Sequence, residues 1–273
     1  MKKILVTVSF SPDSMNAARY AADMAAAIGA ELCLFHVLQI PVSVAEIPIT
    51  DSVYEGMEET GLKWLNELQE ELQKRTEGKI KISSDMNAGS ISYRISEQCN
   101  AEKPFVVIMG VSGNPIDHFF TGNTPLYAIR NLPYPLLVVP ENAIFHPLKK
   151  VVLACDPGDL ANGLPGSFMD EWKEVFGSQF ELLNISTARE NREMGKTFDF
   201  GSWKERMKEI YPALHIVEVD RDHVEEGVSR YLQSSGADLV IVFPKRHGFF
   251  EFHRSHSKRI VRESVLPVLA LHP

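Results

Sequence analysis

Short apolar runs alternate along the chain with longer stretches in which apolar residues recur every three or four positions. The short runs predict buried parallel strands, and the longer period predicts helices with one buried face. In the first half, strands are predicted at Lys3–Val8, Glu31–Leu38, Lys79–Met86, Phe105–Met109 and Pro135–Val139. In the second half, they are predicted at Val151–Cys155, Phe180–Ile185, Leu214–Val219, Leu239–Phe243 and Pro267–Leu271. Five strands with helical crossovers predict a doubly wound α/β domain in each half.

Helix signals separate these strands. Ser11, Pro12 and Asp13 supply an N-cap, a proline at the first helical position and an acid in the first turn, and Gly29 ends that helix. Further helices are predicted at Ser90–Asn100 and Asn123–Asn131 and through Val224, Val228 and Leu232. One long helix carries an apolar stripe that predicts core packing: Val53, Met57, Gly61, Trp64, Leu65, Leu68 and Leu72.

The two halves repeat one pattern. Aligning Ile4 with Val151 brings Gly29 onto Gly177 at nearly constant offset. The ends match as well, FVVIMGVSG and YPLLVVP against DLVIVFPKR and LPVLALHP. A repeat of this length is a duplicated domain and not a solenoid unit, which predicts domains at 1–143 and 148–273.

Composition narrows the function classes. The chain has 273 residues, 44% hydrophobic and 23% charged, with a formal net charge of −8. That charge argues against general nucleic-acid binding, which needs a basic surface. No apolar run approaches the ~20 residues of a membrane helix, and the apolar stretch of MKKILVTVSF is too short for a signal peptide, so we expect a cytoplasmic protein. Three cysteines in apolar segments predict buried thiols in a reducing compartment.

The loop after the fourth strand of the first domain contains the candidate chemistry. Gly110 and Gly113 follow the strand, and Gly122, Asn123 and Thr124 open the next helix. Glycines let backbone N–H groups approach an anion, the helix N-terminus adds a favourable dipole, and Thr124 can donate a hydroxyl. The pattern therefore predicts a phosphate site, although a tight loop without a ligand would need the same glycines.

These residues resemble the universal stress proteins, whose nucleotide-binding members carry G-x2-G-x9-G-[S/T] in this loop, followed by a strand reading PVLVVP. Here the spacing is Gly110-x2-Gly113-x8-Gly122-Asn123, followed by PLLVVP, and an alternative register places Thr121 in the glycine position. The opening ILVTVSFSPDS is similar to that family's ILVPVDFSPDS. The resemblance covers nearly all of the chain, as two tandem domains.

The resemblance implies a fold and an assembly. Each domain is expected to be a Rossmann-like domain of the adenine nucleotide alpha hydrolase-like type. Its five-stranded parallel sheet has the order 3-2-1-4-5, with helices on both faces. Family members commonly dimerise through the fifth strand, so Pro135–Val139 and Pro267–Leu271 are expected to pair as an internal pseudo-dimer. A further homodimer of the chain is compatible with the sequence.

The resemblance also implies a function: a non-catalytic stress-response protein whose first domain binds ATP or another adenine nucleotide. Gly110, Gly113, Gly122, Asn123 and Thr124 would hold the phosphates, with Ser9 and the backbone from Val37 near the nucleoside. Ser9 stands where the family has an aspartate, and a neutral hydroxyl makes weaker hydrogen bonds. The alternative is therefore a ligand-free interaction protein with both sites degenerate; a weak ATP hydrolase is a third hypothesis.

The second domain keeps Asp156 but has Phe243-Pro244-Lys245-Arg246 in place of the glycine loop, so ATP binding in the family's manner is not expected there. Asp156 is interpreted as a helix-capping relic. His247, His253 and His256 lack the spacing of a metal site, and the basic residues of 245–262 are interpreted as a solvated face. His36 is interpreted as a hydrogen-bonded core residue. No arrangement of nucleophile and base indicates catalysis.

Overall fold

The computed structural model describes residues 1–39, 51–111, 128, 132–154, 166–186, 200–220, 224–243 and 264–271. The chain divides into two compact units, Met1–Phe145 and His146–Pro273. No helix among these residues has both the length and the apolar character needed to cross a membrane.

Unit 1 is built on a parallel sheet whose strands are β1 (Lys3–Thr7), β2 (Glu31–Leu38), β3 (Ile82–Ala88), β4 (Val106–Val111) and β5 (Leu136–Pro140). The strand order is β3-β2-β1-β4-β5. Its described helices are α1 (Pro12–Ile28), α2 (Asp51–Arg75) and α3 (Ile91–Glu102). The order confirms the predicted doubly wound α/β sheet.

Unit 2 repeats this arrangement with β6 (Lys150–Ala154), β7 (Gln179–Ser186), β8 (His215–Asp220), β9 (Leu239–Val242) and β10 (Val268–Ala270). All of its strand pairs are parallel, in the order β8-β7-β6-β9-β10. Its described helices are α4 (Gly166–Phe176), α5 (Phe200–Ile210) and α6 (Val224–Ser235). Counted within the unit, the order is again 3-2-1-4-5, as predicted.

The buried strands and the alanine-rich α1 form the core of unit 1. The central residues of β1 and β4 have no exposed surface: Ile4, Leu5, Val6, Val106, Val107 and Ile108. One face of α1 is equally buried through Ala17, Ala18, Ala21, Ala22 and Ala25. Because alanine is small, α1 can lie close to the sheet, and this closeness fixes the geometry at its first turn.

Helix ends follow the sequence signals, with one difference. Gly29 and Gly177, the glycines that the duplication aligns, have φ values of 65° and 64°, a left-handed conformation that suits glycine after a helix. Ser11 occupies the N-cap of α1, as predicted, but its side chain makes no capping hydrogen bond. Its hydroxyl instead lies 2.9 Å from the hydroxyl of Ser9.

The predicted core stripe of α2 is only partly correct. Gly61, Leu65, Leu68 and Leu72 are buried, whereas Trp64 is 48% exposed. The prediction that Val53 packs in the core is also wrong, because Val53 is 52% exposed. Consecutive helical residues point about 100° apart, so Trp64 and Leu65 cannot both face the centre of the sheet. Leu65 takes the core position and Trp64 lies at its margin.

The third strand begins and ends later than predicted. It runs over Ile82–Ala88 and not over Lys79–Met86. After α2 the backbone turns through two left-handed residues, Glu77 with φ 53° and Gly78 with φ 68°. Lys79 belongs to this turn, because its N–H donates to the Thr76 carbonyl at 3.0 Å, and the strand pairs with β2 only beyond it.

Candidate functional site

The carboxyl edge of the first sheet between β1 and β4 is the candidate site. β1 pairs with β2 on one side and with β4 on the other, so the strand order reverses beside it. In open parallel sheets, ligands bind beyond the carboxyl ends of the strands at this reversal. The chain delivers Ser9 to this edge from β1 and Gly110 from β4.

Ser9 opens a turn of three hydrogen-bonded serines. Its N–H donates to the Oγ of Ser14 at 3.2 Å, and that hydroxyl donates to the carbonyl of Ser11 at 3.0 Å. The Oγ of Ser9 lies 2.9 Å from the Oγ of Ser11, and the Ser9 side chain is exposed. The turn fixes the Ser9 backbone, while its hydroxyl retains hydrogen-bonding capacity towards the crevice.

Gly110 brings the end of β4 into direct backbone contact with the first turn of α1. A Cβ built on Gly110 would lie 2.3 Å from the carbonyl oxygen of Asp13 and 2.8 Å from the amide nitrogen of Ser14. Both neighbours are main-chain atoms, so no rotamer change could relieve the overlap. Gly110 therefore has a packing role that the glycine spacing did not reveal: the missing side chain leaves the room that the first turn of α1 occupies.

Val37 lies at the same edge, one residue before the end of β2, and is half-buried. Its neighbour His36 donates from Nδ1 to the carbonyl oxygen of Val8 at 2.7 Å, and the N–H of Val8 donates to the carbonyl of Phe35 at 2.8 Å. These bonds hold the ends of β1 and β2 together. They confirm that His36 is hydrogen-bonded, although its side chain is half-buried and not fully in the core.

An aromatic cluster of Phe10, His36 and Trp64 lies beside Ser9 and Val37. The Phe10 ring lies 4.8 Å from that of His36 and 5.2 Å from that of Trp64, between centroids, the latter in an edge-to-face arrangement. Sequence reasoning did not single out Phe10 and assigned Trp64 to the core. The available signal was the adjacent pair Trp64 and Leu65, of which a helix can direct only one fully inward.

The remaining predicted phosphate residues, Gly113, Gly122, Asn123 and Thr124, lie outside the described residues. So do Asp156 and the segment 244–263 with its histidines and basic residues, and the predicted helix Asn123–Asn131 except for Ala128. Within the described ranges, no group of three His, Cys, Asp or Glu side chains is arranged to hold a metal ion.

Unit 2 contains a polar cluster that sequence reasoning missed. The carboxylate of Glu181 on β7 is nearly buried and accepts hydrogen bonds from Lys150 at 3.0 Å, from His215 at 2.8 Å and from the Tyr231 hydroxyl. Burial alone would raise the pKa of Glu181, but the hydrogen bonds from Tyr231, His215 and Lys150 outweigh it and lower that pKa. Burial and the Glu181 contact raise the pKa of Tyr231.

This cluster is structural by its position. Lys150 and His215 are the first residues of β6 and β8, so the cluster lies at the amino edge of the second sheet. That edge is opposite the one where ligands of such sheets bind. Its members are far apart in the sequence, and neither spacing nor composition indicates that they meet.

Two of the three cysteines lie among the described residues. Cys33 and Cys99 are both buried, as the sequence predicted. Burial raises the pKa of Cys33, and it raises the pKa of Cys99 to about 12. Neither thiol therefore has the character of a nucleophile.

Comparison with known proteins identifies the family of this chain and supports its fold. The family model described as "Universal stress protein family" matches residues 1–140. A universal stress protein from Archaeoglobus fulgidus DSM 4304 superposes with a TM-score of 0.72, at 13% identity, covering 99% of this chain and 98% of that chain. A functionally unknown protein from Pseudomonas aeruginosa PAO1 gives a TM-score of 0.59, at 16% identity, over 100% and 93%. These identities establish the fold alone. No curated protein matches the sequence significantly.

Proposed function

The chain belongs to the universal stress protein family. From that premise we propose that it is a non-catalytic, cytoplasmic stress-response protein whose first unit binds an adenine nucleotide such as ATP. The proposal is supported by the contact at Gly110, which places the first turn of α1 directly beside the end of β4, where the strand order reverses. A helix N-terminus beside a glycine-containing loop at the reversal point of a parallel sheet favours an anion.

The proposed ligand lies along this edge, with its phosphates at the loop after β4 and its nucleoside near the ends of β1 and β2. We propose that Gly110, Gly113, Gly122, Asn123 and Thr124 contact the phosphates through backbone N–H groups and the Thr124 hydroxyl. At the other end, the hydroxyl of Ser9 and the backbone at Val37 would contact the nucleoside. Ser9 is exposed and Val37 is half-buried, so both are accessible from the crevice. A serine binds less strongly there than a carboxylate would, which predicts modest affinity.

A binding role is preferred over hydrolysis because a general base needs a free lone pair near the reacting water. The bond from His36 Nδ1 to the Val8 carbonyl leaves the lone pair on Nε2, but His36 is on β2, which β1 separates from β4 and from the proposed phosphate contact at Gly110. The proposal therefore assigns no catalytic residue. Magnesium-dependent ATP turnover above that of a loop variant would contradict it.

The experiment asks whether purified protein carries or accepts nucleotide. Denaturing the protein and chromatographing the supernatant should release adenine nucleotide, or added ATP should raise Tm. At 100 times Kd, the ligand contributes about 2.7 kcal/mol, which is roughly 5–10 °C for a unit of this size. No released nucleotide together with no shift at millimolar ATP would favour the ligand-free interaction protein instead.

The assembly is also part of the proposal. We propose that β5 and β10, the fifth strands of the two units, pair so that one chain resembles a dimer. Both strands are apolar, LLVV in β5 and VLA in β10, and within its own unit each pairs with one strand, β5 with β4 and β10 with β9, so a partner on the other side would satisfy the remaining N–H and C=O groups. Hydrogen exchange should then protect all β5 amides. Fast exchange at alternate β5 amides would contradict the pairing, because β4 bonds only one side of the strand.

A further inference from the structure

The aromatic cluster of Phe10, His36 and Trp64 lies beside the proposed nucleoside contacts. Phe10 follows Ser9 directly, and His36 precedes Val37 directly. The cluster joins three parts of unit 1. Phe10 follows β1, His36 is in β2, and Trp64 is in α2. Its place at the carboxyl edge distinguishes it from the apolar core, which lies between the sheet and the helices.

Phe10 is held in an unfavourable backbone conformation. Its φ of 63° is left-handed, which costs a non-glycine residue of this bulk roughly 1–2 kcal/mol. Strained residues persist where the surrounding structure holds them, and they concentrate at binding sites. Here the ring contacts with His36 and Trp64 provide that support. The consequence is a Phe10 ring directed towards β2 and α2, next to the exposed Ser9.

Trp64 is the exposed member of the cluster. It retains 48% of its surface, whereas the neighbouring Leu65 is 1% exposed. Helical side chains lean towards the helix N-terminus, and α2 begins on the side where β2 ends. Trp64 therefore leans towards the same carboxyl edge, and it meets Phe10 edge-on, which leaves ring surface uncovered.

We propose that Trp64 and Phe10 form the base-recognising surface of the first unit, so that the site selects ligands with a planar heteroaromatic base over bare polyphosphates. This inference rests on the proposed nucleotide site and names the part of the ligand that decides its specificity. An aromatic ring binds the face of a base by stacking, and the large fused rings of a purine offer the most surface. Ser9 would set the ribose beside the cluster, and the glycine loop would take the phosphates.

The first test compares two ligands on matched variants by isothermal titration calorimetry. Trp64→Ala should weaken ATP binding at least about fivefold, the lower end of the range for losing one base–aromatic stack. It should leave the affinity for inorganic tripolyphosphate unchanged within twofold. Trp64→Phe should restore most of the ATP affinity. Tyr93→Ala is the control, because Tyr93 is a 63% exposed aromatic residue on α3 outside the cluster.

A second readout uses the intrinsic fluorescence of the protein. Of its three tryptophans, Trp172 and Trp203 are 0% and 5% exposed, so quenching by iodide reports mainly on Trp64. Saturating ATP should reduce the quenching constant at least twofold, whereas tripolyphosphate should not change it. Unfolding of a variant is excluded by its circular dichroism spectrum.

The outcomes separate this inference from the function on which it rests. If wild-type protein binds ATP but Trp64→Ala binds it equally well, or if ATP leaves iodide quenching unchanged, base recognition by the cluster is wrong while the nucleotide site stands. If wild-type protein binds neither ATP nor tripolyphosphate, both proposals fail. Loss of ATP affinity in Trp64→Ala, retained tripolyphosphate affinity and rescue by Trp64→Phe together support the inference.

Discussion

Replacing Gly110 with alanine would place a methyl group inside the first turn of α1. The new Cβ would lie 2.3 Å from the oxygen and 2.4 Å from the carbon of the Asp13 carbonyl, and 2.8 Å from the Ser14 nitrogen. Ordinary contact begins near 3.4 Å, so β4 and α1 must separate by about 1 Å. Overpacking of this kind costs about 1–3 kcal/mol. For a unit of this size, the expected loss in Tm is roughly 2–12 °C.

The assay is urea unfolding followed by circular dichroism, with Gly56→Ala as the matched control. Gly56 lies within α2, has no atom within 4 Å of a built Cβ and does not have a positive φ. The same chemical change there should stabilise the helix by about 0.5–1 kcal/mol, because alanine is the better helix former. The two substitutions should therefore shift the midpoint in opposite directions. A Gly110→Ala protein as stable as the wild type would refute the close backbone contact.

Two further predictions concern the polar cluster of unit 2 and the thiols. Glu181→Gln should lower the free energy of unfolding at pH 7 by about 1–3 kcal/mol, because it removes a buried charged acceptor from three donors. Since the folded pKa of Glu181 is lowered, its contribution is present above the unfolded pKa of about 4.3 and is lost as pH falls from there through the folded pKa. The wild-type advantage over Glu181→Gln in urea melts should therefore shrink as pH falls below about 4.3; an advantage that does not shrink on acidification contradicts the assignment. Cys33 and Cys99 are buried, and burial raises the pKa of Cys99 to about 12. A thiol reagent at pH 8 should therefore react with no more than one of the three cysteines in the native protein, and with all three in urea. Two or three fast native thiols would show that the burial is wrong.

The fold could be predicted from local sequence patterns, because each strand is a short apolar run bounded by turn residues. The duplicated Gly29 and Gly177 identified equivalent helix ends, and both are left-handed in the structure. The error at β3 arose from the two left-handed residues after α2, which delay the strand without changing its apolar pattern. Periodicity gives the type of an element more reliably than its first residue.

The site was less accessible to sequence reasoning because it depends on distances between elements. The glycine spacing predicted Gly110 as a phosphate contact. It could not predict the close backbone contact between Gly110 and Asp13, because that contact depends on how α1 packs against β4. Trp64 belonged to an apolar stripe, and only the competition with Leu65 for the core places it at the edge. The Glu181 cluster assembles four residues from three strands and a helix, which no local pattern encodes.

The nucleotide site is best tested by a calorimetric titration of ATP into wild-type protein and into the Gly113→Val variant. ATP should bind saturably to the wild type and should not bind to the variant. The melting temperature should remain nearly the same, because Gly113 is proposed to hold the phosphates and not the fold. Equal ATP affinity in the two proteins would contradict the assignment of the glycine loop, and absence of binding in both would leave the family fold without a nucleotide function.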